Sequence, residues 1–112
     1  MPKKLDNSLD LEDIFSLVKN KISSKEKGSY SYDLTKGGTE KITRKIGEEA
    51  VEVMIAAFLN EKQNNKKTKE DLIGEICDLF YHNFVLMASQ NIDFNDILKE
   101  LNKRNIKKSS KK

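Results

Sequence analysis

The sequence has one cysteine, one proline, one histidine and no tryptophan, and aromatic residues make up only 7% of it. A lone Cys77 excludes an internal disulfide and fits a reducing compartment. The single proline, Pro2, precedes every periodic segment, so no predicted helix is interrupted. No apolar run approaches the ~18 residues that a membrane span requires. The stretch Met1 to Ser8 lacks the apolar core of a secretory signal. These absences predict a cytoplasmic protein with no membrane partner. No Gly-x-Ser-x-Gly run or Cys-His arrangement occurs, so nucleophilic catalysis by serine or cysteine finds no support.

What is present is charge and helical periodicity. Charged residues make up 35% of the 112 residues and nearly balance, leaving +3. Much of the excess lies in Lys107, Lys108, Lys111 and Lys112, which read as a basic, flexible, solvated tail over 105–112. No nucleic-acid partner is expected from it. The length fits one domain spanning 1–112, with a core over about 9–104. A core this small would gain from a second subunit.

Four helices are predicted. The first runs from about Leu9 to Ile22, with Leu11, Ile14, Phe15, Val18 and Ile22 on one face and Asn7 or Ser8 as cap. Lys25 to Gly38, with its glycines and serines, reads as a loop. Thr39 is expected to cap the second helix, Glu40 to Leu59, whose stripe is Ile42, Ile46, Ala50, Val53 and Ala57. After a polar turn, Asn60 to Lys67, Thr68 is expected to cap the third helix, which reaches about Ser89. Between Ile76 and Met87 that helix is apolar nearly all round, so burial on several sides is expected, with Cys77 as a small buried hydrophobe. Asp93 should cap a short fourth helix with Phe94, Ile97, Leu98 and Leu101 inward. Nothing alternates like a strand, so the fold class is an all-α helical bundle.

The acidic residues carry the functional signal. Glu49 with Glu52, and Glu75 with Asp78, are i, i+3 pairs, one turn apart on the same face of successive helices. On a wheel of ~100° per residue with Glu49 at zero, Glu52 falls at about −60° and the apolar stripe centres at about +60°. Counting from Glu75, Asp78 falls at about −60° and His82 at about −20°, beside Leu72, Leu79 and Leu86. Both pairs border the inward edge of their helices. Four converging carboxylates repel and raise one another's pKa values. A hard divalent cation such as Mg²⁺ relieves this, and suits an oxygen cluster that must also meet phosphate. Spacing alone leaves a solvated acidic face equally open. Gly47, inside the second helix, costs about 0.5–1 kcal/mol relative to alanine. It reads as close approach of a neighbouring helix or ligand, or as a tolerated glycine.

The residues Ser29-Tyr30-Ser31, Leu34, Gly38-Thr39, Ile42, Lys45-Ile46-Gly47-Glu48-Glu49, Glu52, then Glu75-x-x-Asp78-Leu79 with Tyr81-His82, resemble the phosphoribosyl-ATP pyrophosphatase family. This family is a branch of the all-α nucleoside triphosphate pyrophosphatases. The resemblance implies Mg²⁺-dependent hydrolysis of phosphoribosyl-ATP to phosphoribosyl-AMP and pyrophosphate, a step of histidine biosynthesis. It implies Glu49, Glu52, Glu75 and Asp78 as metal ligands, Glu48 as a further ligand or the water-orienting base, and a homodimer. A phosphate role then falls to Lys41 and Lys45, with Gly38 at a helix N-terminus and Tyr30 nearby. Lys45 also joins Glu48 as a catalytic candidate. His82 reads as a hydrogen-bonded packing residue beside Asp78. The turn from Asn60 to Lys69 is longer than the family pattern.

Overall fold

The computed structural model describes residues 8–111, with side chains through 105. Asn7 and Lys112 lie outside them. The described residues form five helices and no strand, so the all-α class holds, with one helix more than the sequence suggested.

Helix α1 is Leu11–Ser23. Asp10 caps it rather than Asn7 or Ser8: its carboxylate accepts the Asp13 N–H at 2.8 Å, and Asp13 reciprocates at 3.2 Å. The extra helix, α2, is Tyr30–Lys36, inside the expected loop. Ser29, read as a loop residue, is its N-cap, accepting the Tyr32 N–H at 3.2 Å. Seven residues are too few to show a 3.6-residue period; burial of Ser31 and Leu34 holds the segment in place instead.

Helix α3 is Gly38–Gln63. Its N-cap is Gly37, not Thr39, and Gly38 takes φ +84°, which a side chain would strain. Helix α4 is Lys66–Ser89. The expected polar turn shrinks to Asn64 and Asn65. Asn64 closes α3 in the left-handed conformation (φ 47°), and Asn65 caps α4. Thr68 is not the cap but its partner three residues on. It receives the Asn65 N–H at 3.1 Å, and its hydroxyl donates to Asn60 Oδ1 at 3.0 Å. A link this short makes α3 and α4 antiparallel neighbours.

Helix α5 is Phe94–Lys111, running on through the expected tail. Asp93 does not cap it with its carboxylate, which takes the Lys19 ammonium at 2.8 Å instead.

The core joins Phe15 and Val18 of α1, Leu34 of α2, Ile42 of α3, and Phe84 and Val85 of α4. Phe15 meets Phe84 edge-on with centroids 5.6 Å apart, and Phe94 closes the aromatic group from α5. Much apolar surface remains outside. Ile97, Leu98 and Leu101, expected inward, are exposed, as are Ile76 and Phe80 of the helix expected to be buried all round. Val51, Met54 and Phe58 line an exposed side of α3. The radius of gyration is 16.5 Å, against about 13 Å for a compact domain of this length. A single copy thus leaves helices without partners. Among the described residues, no helix is long and apolar enough to cross a membrane.

Candidate metal and phosphate site

Two seven-residue frames aim the acids. On α3, Ile42 and Ala56 are buried, and Glu49 sits midway, two turns from each. The inward face therefore centres nearer Glu49 than the predicted stripe did; Ala56 is buried, while Ala50 and Ala57 are exposed. On α4, the buried residues Thr68 and His82 bracket Glu75 in the same way. The antiparallel pairing brings the two midpoints together.

Glu49, Glu52 and Glu75 each present one carboxylate oxygen, all within 4.8 Å of one another. Glu49 Oε1 and Glu75 Oε1 are sealed from water and have no hydrogen-bond partner. Burying acceptors this way is unfavourable unless a proton or cation joins them. With a proton present, Glu75 shares it with Glu52. This hydrogen bond, then desolvation, then the Glu52 charge, and last the Glu49 contact and charge, push the Glu75 carboxyl up to about 7. The set is all oxygen and converges on one point, so the residues fit a hard divalent cation such as Mg²⁺.

Asp78 stands apart from this trio. It is exposed, and it lines with Glu52 and Glu75 a cavity of about 410 Å³ between α3 and α4. Glu48 is also outside the trio, pairing with Lys45 at 3.7 Å on the exposed side of α3. Lys41 lies over Gly37, where a β-carbon would collide with its side chain. Arg44 is held by Glu40 at 3.0 Å. At Gly47 a β-carbon would meet nothing within 4 Å, so among the described residues no neighbouring helix makes the close approach.

Tyr30 is built into the α2–α4 contact. Its ring stacks on Tyr81 with centroids 5.9 Å apart. His82 Nδ1–H donates to the Asp78 carbonyl at 2.9 Å, so Nε2 accepts from the Tyr30 hydroxyl at 3.1 Å. His82 is thus a packing residue, and it contacts the Asp78 backbone rather than its carboxylate. Ser31 bonds the Tyr81 hydroxyl. Cys77, expected to be buried, is exposed. Thr68 and Gly74, both lining the cavity, were missed in the sequence as site residues. In the sequence Thr68 reads as a cap, and a glycine inside a helix, such as Gly74, is the signal available for the other.

An antiparallel helix pair with inward carboxylates and two sealed, unpartnered oxygens defines an all-α protein with an oxygen-only carboxylate cluster. Residues 10–105 match the model of the phosphoribosyl-ATP pyrophosphohydrolase family, and the chain belongs to that family. It is similar to the phosphoribosyl-ATP pyrophosphatase of Clostridium acetobutylicum, 42% identical over 108 residues, which cover 96% of this chain and 92% of that one. The Bacillus mycoides protein of the same name is 40% identical over 103 residues, covering 88% and 90%. The Sulfurisphaera tokodaii one is 38% identical over 94 residues, covering 84% and 93%.

Proposed function

We propose that this chain hydrolyses phosphoribosyl-ATP to phosphoribosyl-AMP and pyrophosphate, the step of histidine biosynthesis for which its family is named, using Mg²⁺ held by Glu49, Glu52 and Glu75. The observation that carries the metal assignment is the pair of sealed carboxylate oxygens with no donor. Asp78, on the wall of the same cavity, is the fourth metal carboxylate. An ion held by these residues would supply charge neutralisation for the phosphates and activation of a water. Lys41 and Lys45, two turns and one turn before Glu49 on α3, draw the polyphosphate to that end of the cleft. Glu48 orients the water or accepts its proton, with Lys45 beside it. Gly38 lets the backbone at the start of α3 approach an anion.

The working unit is a homodimer. Val51, Met54 and Phe58 on α3, and Ile73, Ile76 and Phe80 on α4, are exposed in one copy and need cover. A cytoplasmic location agrees with the exposed, unpaired Cys77.

The test is Glu49→Gln, which keeps the shape and removes one charge. Pyrophosphate release from phosphoribosyl-ATP with Mg²⁺ should drop on the order of 10²–10³-fold while the helical circular dichroism persists. Wild-type turnover in this variant would refute the metal assignment. Wild-type protein that cleaves free nucleoside triphosphates but not phosphoribosyl-ATP would refute the substrate.

A further inference from the structure

A second cavity lies between α1, α2 and α4, away from the carboxylate trio. It holds about 290 Å³, the scale of one small ring with a phosphate rather than a whole nucleotide. Ile14 and Leu17 of α1 and the rings of Tyr30 and Tyr81 form its walls. No carboxylate lines it, whereas five line the cavity beside the trio. Lys21, in the last turn of α1, supplies the one cation, and among the described residues its ammonium has no ion pair. Tyr30 is 48% exposed, yet its ring is fixed. It stacks on Tyr81 with centroids 5.9 Å apart, and its hydroxyl donates to His82 Nε2 at 3.1 Å. An open aromatic face held in advance loses little freedom when a ligand packs on it.

Asp78 lines the acidic cavity and Tyr81 lines this one. Tyr81 follows Asp78 by one turn on α4, about 4.5 Å along the axis, so the two cavities adjoin. The acidic cavity needs a cation before it accepts phosphate, and the acid-free one offers an ammonium of its own. Such a pair suits one ligand with two anionic ends. Phosphoribosyl-ATP has two, its triphosphate and the phosphate of its phosphoribosyl group, and ATP has only the first. We propose that the cavity between α1, α2 and α4 is the subsite for the phosphoribosyl group: Lys21 pairs with its phosphate, and the sugar packs on Tyr30. The cavity thereby selects phosphoribosyl-ATP over ATP. This rests on the function proposed above and adds the residues that set its substrate.

The test is steady-state kinetics with phosphoribosyl-ATP, together with competition by ribose 5-phosphate and by pyrophosphate. Lys21→Gln should raise KM about tenfold, the scale of one charged hydrogen bond, and change kcat by less than about twofold. It should weaken ribose 5-phosphate competition by the same factor and leave competition by pyrophosphate, which reads the metal side, unchanged. Lys21→Arg keeps the cation and should restore most of the loss. Leu17→Glu, at an exposed wall residue, puts a carboxylate in the cavity and should act as Lys21→Gln does. An unchanged KM in both Lys21→Gln and Leu17→Glu overturns the inference. So does an equal weakening of pyrophosphate competition, or a wild-type protein against which ribose 5-phosphate does not compete. Failure of wild type to turn over phosphoribosyl-ATP at all would instead sink the function proposed above.

Discussion

Removing the divalent cation should leave a proton in its place, and the exchange is measurable. The Glu75 carboxyl, ordinarily at 4.5, is pushed up to about 7 by Glu52, by burial and by Glu49. The metal-free folded chain thus holds this proton more tightly than the unfolded chain does. The stability it contributes is whole below about pH 4.5 and is lost as pH rises through about 7. A cation must displace the proton. At pH 6 about nine-tenths of the metal-free molecules carry it, at pH 7 about half, and at pH 8 about one-tenth, so Mg²⁺ binding should release about those fractions of a proton. Apparent affinity should weaken about sixfold to tenfold between pH 8 and pH 6. Isothermal titration calorimetry in two buffers of different ionisation enthalpy reads the proton count directly. Glu52→Gln removes the largest cause of the shift, and its release at pH 6 should fall well below the wild-type value. Metal binding with no proton release at pH 6, and flat affinity from pH 6 to pH 8, would refute the reasoning.

Tyr30→Phe removes the hydroxyl that donates to the buried His82 Nε2 and should cost about 1 kcal/mol; thermal unfolding followed by circular dichroism measures it, and an unchanged midpoint would show that the bond contributes nothing. Phe58→Lys places a charge at a residue that is 65% exposed in one copy. If that face meets a second copy, sedimentation should shift from dimer to monomer; a wild-type protein that already sediments as a monomer refutes the homodimer.

Long elements were legible because their period repeats many times. The amphipathic first helix and the two acidic helices are where the residue pattern puts them, displaced at their ends by local capping. Asp10 competes with Ser8, and Asn65 with Thr68, and a list of good capping residues does not rank them; backbone geometry does. Helix α2 escaped because its glycine- and serine-rich approach imitates a loop, while its anchor, Leu34, is one buried side chain reached through the tertiary fold. The inward expectation for Ile97, Leu98 and Leu101 failed for another reason. An apolar stripe says that a face wants cover, and it does not say which chain supplies it.

The acidic pattern is ambiguous in the sequence, and the way this chain treats its other acids sets Glu49, Glu52 and Glu75 apart. Glu40 holds Arg44, Asp71 holds Lys67, and Glu100 holds Arg104, each one turn along an exposed helix face. Those are ordinary solvated charges. Glu49 and Glu75 occupy positions that the frames Ile42–Ala56 and Thr68–His82 reserve for buried residues, and each seals an oxygen with no donor. One such violation is a local defect. Two, at matched depth on facing helices and joined by Glu52, share one remedy: a proton or a cation placed among all three. The seven-residue spacing of those frames is present in the sequence, and the three carboxylates converge only because the Asn64-Asn65 link folds one frame onto the other.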